Sequence, residues 1–389
     1  MTPLELFFDL VFVLAITQCT ALMADHPTWE GLAQGLLILG VLWWSWTGYA
    51  WLTSVVDPEE GSVRIAMFAA MAAFLIAAIC VPDAFGALGL EFALAYAAVR
   101  AAHIGLFLLA SRDDPGLRHS VLGLAVSTTI GVSILAAASL FDGATQLALW
   151  GLAVSLDLLG PLLFIDAGGW RLAPTHFAER HGLIMIIALG ESIVAIGLGA
   201  ESHLTVGIAA AATVGIALAA AMWWLYFDVV ALISSRRLAS APEGRIQNEL
   251  ARDSYSYIHL PMVAGIILVA LAMKKTLAHV EDPLDTVPAF ALLGGTSLYL
   301  LGLVAFRFRH VRTVNRHRAG LALLMFALLP AATELPALAS VAIVAALLAV
   351  MIAYETRVVY GEGRFRVRHP QPGDEIPEVA RLRVPSEPG

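Results

Sequence analysis

Long apolar runs separated by short polar breaks dominate this chain. The runs are about 20 residues each, the length a helix rising 1.5 Å per residue needs to cross ~30 Å of hydrocarbon. They predict helices over 4–24, 30–53, 64–82, 88–110, 119–140, 144–166, 179–200, 204–233, 255–273, 287–306, 319–335 and 337–357. The breaks carry turn chemistry: Asp25-His26-Pro27, Asp57-Pro58, Asp113-Asp114-Pro115 and, between the last pair, Glu334-Leu335-Pro336. The expected fold class is therefore all-α, a polytopic transmembrane helix bundle of about 12 helices over 1–360. The tail 361–389, rich in Pro, Arg and Glu, is expected to be disordered and cytoplasmic.

Composition excludes a water-soluble core. Hydrophobic residues make up 59% and charged residues 14%, with mean hydropathy +0.80, whereas soluble domains carry roughly 25% charged residues. A net charge of −8 argues against nucleic acid as a partner. Cys19 and Cys80 make neither a disulfide framework nor a metal site and read as apolar core thiols. No cleavable signal peptide is visible, because the first run lacks a basic leader and holds two carboxylates. With the N-terminus inside, the cytoplasmic loops and tail collect 20 of the 23 basic residues. Only Lys274 and Lys275 fall outside, and Arg100 lies within a helix. That asymmetry predicts both termini on the cytoplasmic side.

Ionisable groups inside the spans are the candidate chemistry, since a charge at the bilayer centre costs roughly 2.5–3.5 kcal/mol on insertion scales. Arg100, Asp157 and Glu191 fall near mid-depth; Glu5, Asp9, His103, Asp166, His181 and Asp228 lie toward the cytoplasmic side. Glu5 and Asp9, at i and i+4, share a helix face, and their repulsion suits a proton or cation site. Glu5, Asp9, Asp157, Glu191 and Asp228 together oppose Arg100 as the one deep cation, an imbalance that protons, cations or water must relieve. Arg100, with His103, Arg180 and His181, is the candidate counter-ion or substrate anchor. The plainer readings stand beside these. Arg100 with Asp157 or Glu191 can be an ion pair that fixes helix order, Glu5 can cap its helix, and Asp166 and Asp228 can be interfacial groups. Trp43, Trp44, Trp46, Trp223 and Trp224 lie near mid-span, away from the interfaces that Trp favours, and suit a cavity wall or core packing. Trp43, Trp44, Trp223 and Trp224 are the cavity-lining candidates. Gly31 and Gly35 read as helix-contact points.

Leu42-Trp43-Trp44 echoes Met222-Trp223-Trp224, and Asp9 falls near Glu191 on the same shift, which suggests parallel halves at 1–170 and 171–360. Two stretches carry a stronger likeness. Thr2-Pro3-Leu4-Glu5-Leu6-Phe7-Phe8-Asp9-Leu10-Val11-Phe12-Val13 resembles the opening motif of the bacterial low temperature requirement protein A family. His176-Phe177-Ala178-Glu179-Arg180-His181-Gly182-Leu183, followed by Leu189-Gly190-Glu191-Ser192, resembles its second motif. The resemblance implies a polytopic protein of the bacterial inner membrane and fixes no substrate or reaction. Family members carry polar or basic residues before the Thr-Pro start, so it also implies a start upstream of Met1.

No P-loop, HExxH or GxGxxG pattern occurs, and Gly190-Glu191-Ser192 fails as a nucleophile elbow because Val194 stands where glycine is required. No catalytic residue, metal or cofactor is expected. The leading expectation is secondary transport coupled to protons or a monovalent cation, with an unknown small-molecule substrate and membrane lipid as surroundings. A membrane-embedded enzyme acting on a lipid or isoprenoid headgroup, and a non-transporting envelope or assembly protein, are the alternatives.

Overall fold

The computed structural model describes residues 1–163, 167–199 and 205–360. It is an all-α polytopic bundle with no strand among the described residues. The helices are α1 (Pro3–Asp25), α2 (Trp29–Leu52), α3 (Gly61–Cys80), α4 (Gly89–Ala110), α5 (Pro115–Ala138), α6 (Gly143–Leu163), α7 (Pro174–Gly199), α8 (Val206–Phe227), α9 (Val230–Ala239), α10 (Arg245–Ala251), α11 (His259–Ala278), α12 (Thr286–Val311), α13 (Arg316–Ala327), α14 (Leu329–Ala332) and α15 (Ala337–Tyr354). Among the described residues, 11 spans are long and apolar enough to cross a membrane. Asp166 and the tail 361–389 lie outside the described residues.

Local chemistry sets the helix ends. Thr2 caps α1 in a capping box: its hydroxyl accepts from the Glu5 amide, and the Glu5 carboxylate accepts from the Thr2 amide at 2.9 Å. Pro3 occupies the first turn, where the missing N–H costs nothing. Thr28, Asp114, Thr205 and Asn315 cap α2, α5, α8 and α13 in the same side-chain manner. Asp114 also pairs with Arg171 at 2.8 Å, and its pKa is lowered by the Leu117 amide it accepts from and by Arg171.

Two long segments are interrupted. The predicted helix over 204–233 is α8 followed by α9, broken at Asp228-Val229. A turn of π-helix over Arg252–Tyr257 leads from α10 to α11. The predicted span 319–335 is two pieces, α13 and α14, because Pro330 denies the helix an amide donor just after Leu328.

The chain divides into two compact units. The first takes Met1–Glu191 with Ala241–Arg252; the second takes Ser192–Ser240 and the chain from Asp253 onward. In the first, α1 packs on α2 and α3, α3 on α4, α4 on α5, and α5 on α6, while α2 also meets α4 and α6. Gly35 lets α1 approach: a Cβ there would lie 2.3 Å from Met23. Asn248 of α10 donates to the Ala167 and Trp170 carbonyls at 2.8 and 2.7 Å, pinning that short helix to the connection before α7. Cys19 and Cys80 are both buried and unbridged.

In the second unit α11 and α12 lie closest, backbone against backbone at Gly265 and Gly295. A Cβ on Gly265 would meet the Gly295 carbonyl at 2.5 Å, and one on Gly295 would meet the Gly265 carbonyl at 2.7 Å. The start of α15 is tied to the α11–α12 connection: Ala337 donates to the Asp282 carbonyl at 2.9 Å and Leu338 to Val280 at 3.2 Å. After α12, the segment α13–α14 therefore returns the chain to the end from which α12 began.

Candidate functional site

The first unit gathers most of the sequence-selected ionisable groups into its interior. Asp9 and Glu5 project from the first turns of α1, and Arg180 meets them from the second turn of α7. Arg180 is fully buried and donates Nη2 to Asp9 Oδ1 at 2.7 Å. Its Nη1 reaches the Thr53 hydroxyl at 3.1 Å and the Tyr49 carbonyl at 3.4 Å, and stands 3.6 Å from Glu5 Oε1. Trp46 of α2 donates its indole N–H to the same Asp9 oxygen at 2.7 Å, and the guanidinium lies over its ring at 5.4 Å. His176 lies 2.9 Å from the Glu5 carboxylate. Asp9 Oδ2 and Arg180 Nε have no hydrogen-bond partner. His181 stands next to this cluster, Nδ1 2.9 Å from the Phe177 carbonyl and its ring 5.0 Å from Trp46. Trp43 and Trp44 are buried on the same helix as Trp46.

A second polar group lies among α2, α4, α5 and α6. Tyr96 donates its hydroxyl to Asp157 Oδ2. Arg100 donates Nη2 to Thr128 at 2.7 Å, while Asp157 acts on it electrostatically. Asp157 Oδ1 and Arg100 Nε have no hydrogen-bond partner. His103 lies between Tyr49 and Phe107, tilted against the first and edge-on to the second, with ring centroids 5.3 and 5.0 Å away. Gly48 permits this arrangement: a Cβ there would lie 3.0 Å from His103 Nε2 and 3.2 Å from Arg100 Nη1.

Glu191 meets α1 two turns beyond Asp9. Its Oε2 lies 2.5 Å from the Thr17 hydroxyl, which is also 3.1 Å from the Val13 carbonyl. Asp228, Trp223 and Trp224 belong to the second unit. Asp228 and Trp224 line a narrow cleft with Arg318 and Glu355, whereas Trp223 is 43% exposed and stacked on Phe227. In that unit Arg318 grips Glu355 through Nε at 2.8 Å and Nη2 at 2.7 Å, and Asn315 donates to the same carboxylate at 2.7 Å. Among the described residues no group of three or more His, Cys, Asp or Glu side chains is placed to hold a metal ion.

Two corrections follow. Arg100 is not the one deep cation, because Arg180 and Arg318, read from sequence as loop residues, are buried and paired with carboxylates. Trp46 and His176 are the partners that sequence reasoning did not assign. Both stood in stretches already singled out, but nothing in a linear pattern says which carboxylate an indole or imidazole will meet.

Comparison with known proteins agrees with this picture of a multi-pass membrane protein. No solved structure matches. An uncharacterized protein of Rhizobium meliloti (strain 1021) is 32% identical over 310 residues, which is 77% of this chain and 75% of that protein. Residues 1–353 match the bacterial low temperature requirement A protein (LtrA) family, a region that holds every ionisable group described above except Glu355. The chain belongs to that family.

Proposed function

We propose that this protein is a secondary transporter of the bacterial inner membrane, coupled to protons or a monovalent cation, with both termini in the cytoplasm. Asp9 and Glu191 are its titrating or ion-binding groups. The observation that carries the reading is a set of charged groups buried without full hydrogen bonding: Asp9 Oδ2 and Arg180 Nε in one place, Asp157 Oδ1 and Arg100 Nε in another. A charge network that served only to order the bundle would be expected to satisfy its members, since an unfilled polar valence in an apolar interior costs about 1–3 kcal/mol. Unfilled valences are instead what a group needs if it is to exchange partners, or a proton, during a cycle. Glu191 supports the same reading. The single Thr17 proton cannot serve both Val13 and Glu191 fully, so the 2.5 Å contact accommodates Glu191 as acceptor or as protonated donor.

The test is proton flux into proteoliposomes under an imposed potassium diffusion potential. Wild type should carry flux above empty liposomes, and Asp9→Asn or Glu191→Gln should abolish it. Flux unchanged in both variants, with protein correctly inserted, would remove these carboxylates from the pathway.

A further inference from the structure

The Arg100 group has a composition that the Asp9 group lacks. Asp9 is in direct contact with its cation, at 2.7 Å. Arg100 is bonded to a neutral hydroxyl, Thr128, and its Nε has no hydrogen-bond partner although the side chain is only 2% exposed. His103 is 1% exposed and neither ring nitrogen makes a full hydrogen bond, the nearest partner being the Gly48 backbone. Arg100 Nη1 and His103 Nε2 lie side by side against Gly48, 3.2 and 3.0 Å from where its Cβ would stand, and Nε2 adds a second donor beside the guanidinium in one tautomer. Asp157 is the carboxylate that balances Arg100; Tyr96 holds its Oδ2, and Oδ1 has no hydrogen-bond partner.

We infer that Arg100 and His103 bind a small monovalent anion, such as a halide, nitrate or short carboxylate, and that this anion is carried together with a proton taken up by Asp157. The inference rests on the transporter reading and names its substrate class. Charge balance gives the coupling. With the site empty, one guanidinium faces one carboxylate and the interior is neutral. An anion entering alone would leave a buried excess negative charge, which low dielectric makes costly. If a proton binds Asp157 Oδ1 as the anion binds Arg100, the interior stays neutral, and one anion and one proton move together with no net charge. A divalent anion would leave one charge unbalanced. The titratable and charged groups facing Asp157 are Tyr96 and Arg100 from α4; Gly131 of α5 lies against it without charge, and Tyr49 of α2 adds a phenol beside Arg100 and His103.

The experiment uses the full chain in detergent at low buffering, titrated with sodium chloride, sodium nitrate or sodium formate, with sodium gluconate as the bulky control. A pH-sensitive dye reads proton uptake and thermal unfolding reads binding. At least one probe should stabilise wild type saturably and draw protons from solution. Asp157→Asn, which imitates the protonated acid, should keep the stabilisation and lose the proton uptake. The double variant Arg100→Gln/Asp157→Asn removes both charges, so the interior stays neutral and the bundle is expected to fold; it should lose both responses. The proposal is overturned if no probe affects wild type, if Asp157→Asn still takes up protons, or if the double variant binds as wild type does. Loss of the anion response beside intact Asp9-dependent flux would discard the substrate class and keep the transporter. Because the cycle moves no net charge, its flux is read in liposomes under an imposed pH or anion gradient; anion binding with proton uptake but no flux under either gradient would keep the site and discard the transporter.

Discussion

Asp9 accepts from both Arg180 and Trp46 through one oxygen, and this decides what each substitution does. Removing one member of a buried ion pair leaves the other uncompensated, at a cost on the order of 3–5 kcal/mol. Arg180→Met should therefore lower the melting temperature of the purified protein strongly, and adding Asp9→Leu should recover most of the loss. If Arg180→Met melts like wild type, Asp9 is already neutral and the pair is not ionic. Sequence alone flagged Asp9 by its depth and named Arg180 as a candidate counter-ion, yet counted Arg180 with the loop residues. Arg180 lies only two turns from the start of α7, close enough to a predicted boundary to be counted on either side of it. The carboxylates were legible because an apolar run makes any acid conspicuous. Their partners were not, because contacts such as Asp9 with Trp46 join positions 37 residues apart.

Helix ends were legible only in part: Asp114 stood in a break already read as a turn, whereas the caps at Thr2, Thr28, Thr205 and Asn315 belong to helices whose starts the apolar runs alone set to within a few residues. Asp114 gives a pH test. The Leu117 amide and Arg171 hold its pKa below the ordinary carboxylate range, so its cap and ion pair stabilise α5 fully above that range and are lost as pH falls through the lowered pKa. Asp114→Ala should cost about 0.5–2 kcal/mol near neutrality, and the gap to wild type should close in strong acid, as read by unfolding at several pH values. Persistence of the gap at acid pH would assign the loss to packing. Helix contacts are harder to read than ends. Gly31 and Gly35 were visible by spacing, whereas Gly265 and Gly295 lie 30 residues apart and show their meaning only where the two backbones cross. Gly295→Ala should destabilise by about 1–3 kcal/mol, because the atoms in its way belong to the Gly265 backbone and the Leu268 Cβ. Gly320→Ala, with nothing within 4 Å, should be neutral or stabilising, and thermal unfolding of the two variants gives the comparison.

At the scale of the whole molecule, the number of crossings decides the sidedness of everything else. Length and hydropathy select 11 spans and pass over α13 and α14, which Pro330 shortens. Hydrogen bonds from Ala337 and Leu338 to Asp282 and Val280 nevertheless place the start of α15 at the same end as the α11–α12 connection. Since α12 runs away from that end, α13–α14 has to run back, and its 17 residues from Arg316 to Ala332 extend about 25 Å at helical rise. A twelfth crossing at α13–α14 is therefore the expectation from this geometry, and the basic-residue asymmetry of the sequence predicts its sidedness. Cysteines placed one at a time at Glu243, Glu281, Val314 and Glu334, all exposed, test both conclusions once Cys19 and Cys80 are replaced by Ala. In spheroplasts, a membrane-impermeant maleimide should label the variants at 281 and 334 and reach those at 243 and 314 only after lysis. Labelling at 334 that follows 314 would mean α13–α14 does not cross, and the C-terminus would then lie outside. A complete reversal of all four would keep the twelve crossings and invert the protein in the membrane, so that the Asp9 group would lie nearer the opposite face.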